Sequence, residues 1–209
     1  NPCTIASCNT VTGACSFNSG NNGGVCAEGK ICGGGKCADI TTGWAKAIAT
    51  SSYGQHMCAL RHDKTVACWG YNSDGQVGDG SKTVQRKPVV VKGIDNVAML
   101  AIGYSHTCAL REDGKLYCWG YNNYGQCGTG VGSSTDLTKP TLASKVPALS
   151  AVWAGYHRTC GRSLTGDILC WGYNFGGEAG NSTTSTQLLP VKVLGLPSTP
   201  IVAVAADYR

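Results

Sequence analysis

The side chains best equipped for chemistry in this 209-residue chain are thirteen cysteines and four histidines. Six cysteines, Cys3, Cys8, Cys15, Cys26, Cys32 and Cys37, are separated by gaps of four, six, ten, five and four residues, with no histidine among them. Structural zinc wants paired C-x2-C ligands, so disulfides are the expected chemistry. Three of them would contribute about 2 to 4 kcal/mol each by restricting the unfolded chain. They would replace the core that this segment lacks, because its larger apolar side chains are only Ile5, Val11, Phe17, Val25 and Ile31. Six thiols pair in too many ways for sequence to choose. Residues 1–39 therefore read as a cysteine-rich disulfide module, a small spacer or docking piece. Cysteine usage of this kind predicts an oxidising compartment, hence a secreted, extracellular or cell-surface protein. The chain opens on Asn1 with neither a basic nor an apolar leader, as expected if a signal peptide has been removed or lies upstream.

The histidines do not form a metal site on paper. His56 and His106 each lie two residues before a cysteine, where a hydrogen bond stitching strands is expected; His62 falls in a hairpin loop and His157 stands alone beside Arg158. No H-x-x-x-H pair occurs, so no catalytic metal, other cofactor or enzyme activity is expected. Asp74 and Asp79 loosely resemble a calcium loop, but Tyr124 and Thr129, then Gly176 and Asn181, take their places farther along, and turn chemistry suffices. The run Gly128 to Gly132 precedes no helix pattern and is not a phosphate cradle. Asn181-Ser182-Thr183 is a glycosylation sequon, meaningful only in a glycosylating cell.

Composition narrows the classes further. Thirty glycines, about twice the usual share, disfavour long helices. Lys plus Arg (17) less Asp plus Glu (12) leaves +5, scattered singly, so no basic block tracks a phosphate backbone and nucleic acid is not expected as a partner. No apolar run approaches the roughly 18 residues of a membrane span.

The elements that must carry these residues are copies. Cys68-Trp69-Gly70-Tyr71-Asn72 recurs as Cys118 to Asn122 and as Cys170 to Asn174, at offsets of 50 and 52. Ten residues before each pentapeptide stands Cys58, Cys108 or Cys160; seven after its cysteine comes Gly75, Gly125 or Gly177. Pro88, Pro140 and Pro190 each lead into a β-rich run, and short apolar strands at Val97 to Ile102, Leu149 to Ala154 and Ile201 to Ala206 open the next unit. Each unit reads as four short strands between Gly, Pro, Asn and Asp turns, an all-β propeller blade. The units span about 44–94, 95–146 and 147–198, with the start of a fourth at 199–209, so residues 40–209 make an incomplete ring.

Register supplies a check. A three-residue loop Glu112-Asp113-Gly114 makes Arg111 face Lys115 and puts Cys108 opposite Cys118, predicting cross-strand disulfides Cys58–Cys68, Cys108–Cys118 and Cys160–Cys170, with some local pinching of the strands. Gly114 and Gly166 suit the left-handed position of such a loop; Lys64 holds it in the first unit, so that turn is expected to be strained or differently shaped. Cys127 takes the place of Val77 and Ala179 and reads as a buried free thiol. Trp69, Trp119 and Trp171 read as packing between blades.

The pattern His106-Thr107-Cys108-Ala109-Leu110, Asp113-Gly114, Cys118 to Asn122 and Gly125-Gln126-Cys127-Gly128 resembles the repeat of the regulator of chromosome condensation (RCC1) family, over about 165 residues. The resemblance implies a β-propeller, in that family seven-bladed, and the paired cysteines look like those of secreted bacterial members. Departures concentrate in the third unit: Arg158 for histidine, Gly161-Arg162 for Ala-Leu, and Glu178-Ala179 for glutamine and a larger apolar residue.

Tyr104, Tyr156 and Tyr208 recur at one strand-to-strand turn and would line one face near the ring centre. The variable segments Ser73 to Lys87, Asn123 to Lys139 and Phe175 to Leu189 are where function would reside on a fixed scaffold. The expectation is a secreted, non-enzymatic protein-binding propeller with Tyr104, Tyr156, Tyr124 and Phe175 as contact residues. The alternatives are a self-assembling extracellular fibre joined through open propeller edges, a secreted enzyme inhibitor, and, as the family's nuclear activity, a guanine-nucleotide exchange factor, which the disulfides and the lack of a basic tail disfavour.

Overall fold

The computed structural model describes residues 45–51, 55–132 and 135–197, together with the backbone of five short strands between residues 5 and 39. Those five are β1 (Ile5–Cys8), β2 (Cys15–Phe17), β3 (Val25–Ala27), β4 (Lys30–Gly33) and β5 (Lys36–Asp39). They form the pair β1-β2, with Cys8 opposite Cys15, and the three-stranded sheet β3-β4-β5, with Cys32 opposite Cys37. The side chains of the six amino-terminal cysteines, and the three disulfides expected among them, lie outside the described residues. The chain divides into two compact units, Asn1–Lys46 with Arg61–Asp63, and Ala47–Leu60 with Lys64–Arg209.

The larger unit is built from three four-stranded antiparallel sheets: β6 (Ala45–Thr50) to β9 (Gln85–Val90) through β7 (His56–Arg61) and β8 (Val66–Gly70); β10 (Val97–Ile102), β11 (His106–Arg111), β12 (Leu116–Gly120) and β13 (Leu137–Leu142); and β14 (Leu149–Ala154), β15 (Arg158–Ser163), β16 (Ile168–Gly172) and β17 (Gln187–Lys192). Strands follow one another in sequence order within each sheet, as in propeller blades, and no helix occurs among the described residues. The second strands are buried along most of their length on both faces, which a strand can be only when it is central in its sheet and the sheet is sandwiched. Fourth strands are the exposed edges. Pro88, Pro140 and Pro190 lie inside them rather than ahead of them, since an edge strand does not need every N–H. The counterpart of β10 and β14 expected at Ile201 to Ala206 lies outside the described residues.

Cys58 faces Cys68, Cys108 faces Cys118 and Cys160 faces Cys170, and all three pairs are bonded with 4.1 Å between Cα atoms, the pinching that a cross-strand bridge requires. The hairpin of the first sheet has the same shape as the others: Lys64 adopts φ 63° where Gly114 has 80° and Gly166 has 93°. A Cβ in that left-handed region costs about 1 to 2 kcal/mol. The turn is therefore strained but not reshaped. The same backbone position also ties neighbouring sheets, because the carbonyls of Lys64 and Gly114 accept from Val97 N and Leu149 N.

Cores form between sheets rather than within them. Val66, Val77 and Val91 of the first sheet and its loops pack with Val97, Ile102, Ala109 and Trp119 of the second. In the next core Cys118 and Cys127 pack with Leu149, Val152 and Trp171 of the third. Beyond the third sheet the described cluster is only Cys160, Ile168, Cys170 and Ala179.

Candidate partner-binding face

Each blade is clamped to the next by one repeated device. Gln76 offers its carbonyl to Trp119 Nε1 (2.9 Å) and to the Thr107 hydroxyl (2.8 Å), and His56 Nε2 lies 2.8 Å from that same hydroxyl. Gln126, Trp171, Thr159 and His106 repeat it one blade later. A threonine hydroxyl has one proton, and it goes to the carbonyl, so His Nε2 must donate. His56 and His106 thus stitch strands together as expected, and the strands belong to neighbouring blades. Burial lowers their pKa values to about 4 and about 3, the latter assisted by charge repulsion from His157 and His56. Trp119 and Trp171 are fully buried between blades; Trp69 is half-buried.

The loops joining first to second strands and third to fourth strands emerge at the same end of the blades. Tyr71 N donates to Gln55 O, Tyr121 N to Ser105 O and Tyr173 N to His157 O, while Tyr104 N reaches Tyr156 O across the seam at 3.2 Å. The asparagine of each pentapeptide shapes the longer loop: Asn72, Asn122 and Asn174 accept from Val77, Cys127 and Ala179 N through Oδ1. Asn72 and Asn174 also donate from Nδ2 to loop carbonyls, as Asn122 does to Val131 O.

This positions a continuous aromatic cluster. His157 is its hub, with ring centroids 4.0 Å from Tyr156, 4.9 Å from Tyr121, 5.4 Å from Tyr124 and 5.9 Å from Tyr104. Tyr104 and Tyr156 stand 4.7 Å apart, Tyr124 meets Tyr173 at 5.2 Å, and Phe175 closes on Tyr173 at 4.8 Å. Phe175 is 59% exposed. Tyr124, Tyr156, His157, Tyr173, Phe175, Gly176 and Glu178 line a hollow of about 680 Å³. A smaller one of about 150 Å³ sits one blade earlier between Gln55, Tyr71, Ser73, Asp74, Tyr104 and Ser105. Burial lowers the pKa of His157 to about 4 and raises that of Tyr121, where Tyr124 adds to the effect.

The four residues read from sequence as contacts, Tyr104, Tyr124, Tyr156 and Phe175, all fall in this one cluster; Tyr208 lies outside the described residues. Sequence reasoning passed over His157, Tyr121, Tyr173 and Glu178. Tyr121 and Tyr173 hide in a pentapeptide that looks purely structural, and the available signal for His157 was that it replaces Ser105 directly after a repeated tyrosine. Cys127 is a buried free thiol whose pKa burial pushes far up. Asp79 is spent on turn contacts with Ser81 and Gln85.

The regulator of chromosome condensation (RCC1) repeat matches residues 65–110, 113–163 and 165–207, and a second form of that repeat matches 47–76 and 97–126. The chain belongs to the RCC1-repeat family. Each longer match begins just before the third strand of one sheet, and the first two run into the next sheet, so the sequence repeat carries the inter-blade connection within it. The ultraviolet-B receptor UVR8 of Arabidopsis thaliana is 29% identical over 171 residues, 80% of this chain and 39% of UVR8. Yeast RCC1 (Prp20), in its complex with Kap60, superposes with a TM-score of 0.64 at 25% identity, over 71% of this chain and 37% of Prp20. Human WBSCR16 gives 0.64 at 23%, over 75% and 40%. The chain thus spans about two fifths of the relatives it matches.

Proposed function

We propose that this chain is a non-enzymatic protein-binding module, secreted or displayed at a cell surface, whose partner seats on the loop face around His157. The carrying observation is the aromatic cluster: rigid tyrosines, half-buried and contiguous, with Phe175 standing out beside a hollow of about 680 Å³. Aromatic side chains give large contact area at small conformational cost, and they dominate interface hot spots. Three blade disulfides, each buried at the seam of two strands, support an oxidising location. Inhibition of an extracellular enzyme is one form that such binding would take.

The test is affinity capture from the fluid that naturally surrounds the protein, with wild type beside a Tyr124→Ala, Phe175→Ala double variant and beside a Val90→Ala, Leu142→Ala variant on the outer strands. One species retained by wild type and the outer-strand variant, and lost with the face variant, supports the reading. Capture indifferent to the face variant rejects it. Exchange activity is the rival within the family, and accelerated release of labelled nucleotide from a small GTPase would favour it instead.

A further inference from the structure

The third blade departs from its siblings at the floor of the larger hollow. Gln76 and Gln126 each use Oε1 to accept from the backbone N two residues earlier, Asp74 and Tyr124. Glu178 makes the same contact with Gly176 N at 2.9 Å, but through a carboxylate. The substitution keeps the loop contact and brings a carboxylate, with Arg158 Nη1 3.7 Å away. In a chain where Lys and Arg outnumber Asp and Glu by 17 to 12, the charged residue lining this hollow is acidic. The smaller hollow repeats the chemistry, with Asp74 beside Tyr71 and Tyr104.

Aromatic rings share the hollow with the carboxylate. Tyr124, Tyr156 and Tyr173 line the hollow with Phe175, and His157 holds the centre. Burial keeps His157 uncharged down to about pH 4, so at neutral pH it offers a ring and no positive charge. Aromatic rings present a negative face that attracts cations, more strongly where water is excluded. Glu178 has spare capacity. A carboxylate offers about four lone-pair sites; among the described residues Gly176 N takes one, and Arg158 Nη1 at 3.7 Å is farther than a hydrogen bond.

Resting on the binding reading above, we infer that the face selects a basic segment of its protein partner, one arginine or lysine side chain entering the hollow between Tyr124, Tyr173 and Glu178. The smaller hollow at Asp74 takes a second cation one blade away. A neutral side chain of equal length is held less well, because the rings and the carboxylate both favour charge.

The experiment uses the whole chain and two small probes, Nα-acetyl-arginine amide and its uncharged analogue Nα-acetyl-citrulline amide, followed by NMR of the His157 and tyrosine ring resonances. Arginine amide should shift the rings of His157, Tyr124 and Tyr173 saturably, with the citrulline analogue binding roughly five-fold or more weakly, as loss of a cation–π contact and a charge partner requires. E178Q should weaken the arginine probe by a similar factor. The double variant R158H/E178Q, which restores both residues of the earlier blades, guards against a misfolded single variant and should lose the same affinity. Equal binding of arginine and citrulline, shifts confined to other residues, or full affinity in R158H/E178Q would overturn the inference. Those outcomes leave the face variant's effect on partner capture untouched, so the two readings fail separately.

Discussion

Arg158 Nη1 lies 3.7 Å from Glu178 Oε1, and the two residues are the third blade's replacements for a histidine and a glutamine. In the earlier blades that histidine reaches forward to a threonine of the following blade. Arg158 instead turns to a carboxylate of its own blade. Both side chains are largely shielded, 10% and 20% exposed, so removing one partner strands a poorly solvated charge. Arg158→Ala, which leaves a half-buried carboxylate facing Tyr rings, should destabilise the chain by about 1 to 3 kcal/mol. R158H/E178Q should recover most of that. Urea unfolding of wild type, R158H, E178Q and R158H/E178Q gives the coupling, and a coupling near zero would show that the pair is incidental.

His56 and His106 make stability depend on pH. Their folded-state pKa values, about 4 and about 3, lie below the ordinary 6.5 because burial disfavours charge. Between those limits the unfolded chain binds more protons, so stability rises with pH. The contribution is complete above about pH 6.5 and is lost as pH falls toward the folded values, each unit being worth about 1.4 kcal/mol per group. The melting temperature should therefore fall steadily from pH 7 to pH 4. Thr107→Val removes the hydroxyl that accepts from His56 and should lower stability at neutral pH by about 1 to 3 kcal/mol, whereas Thr107→Ser should cost much less.

Cys127 should be chemically silent. Its thiol is fully buried, and burial pushes its pKa far above the ordinary value, so almost no thiolate exists at neutral pH. In native protein, iodoacetamide should leave Cys127 unmodified over hours, with reaction appearing only on unfolding. Cys127→Val, the residue of the first blade, should be tolerated within about 1 kcal/mol. Rapid native labelling would contradict the burial.

Copies of the chain should not polymerise by joining the third blade of one to the first blade of another. The clamp needs histidine on the leading blade and threonine on the following one, but the third blade offers Arg158 and the first offers Met57. Light scattering at rising concentration should report a constant mass. Concentration-dependent growth that Met57→Thr enhances would mean that the edges do pair, and would support the fibre alternative.

Much of the architecture was legible in the residues because the repeat is local. The pentapeptide, the paired cysteines and the hairpin glycines act within about ten residues of each other, so spacing alone gave the strands, the Cys108–Cys118 register and the three bridges. Lys64 shows where local reasoning stopped. A non-glycine there suggested a strained or differently shaped turn, and only the structure chooses: the backbone is left-handed like its siblings, with the Lys64 carbonyl accepting from Val97 of the next blade. The prolines likewise seemed to precede their strands because sequence does not say which strand is the edge.

What the chain's order of residues determined by itself was the unit: four strands, one sulfur bridge, and tyrosines placed at its turns. What only the packed structure decided was everything between units. Gly75 and Gly125 sit where a Cβ would meet Thr138 and Leu188 of the following blade, while the equivalent Gly177 has only Thr183 O at 3.8 Å among the described residues. His157 became the hub of an aromatic face because loops from separate blades converge on it, across sequence separations of tens of residues. Side chains that far apart meet only when whole sheets stack, and no spacing within one repeat encodes the angle at which they do.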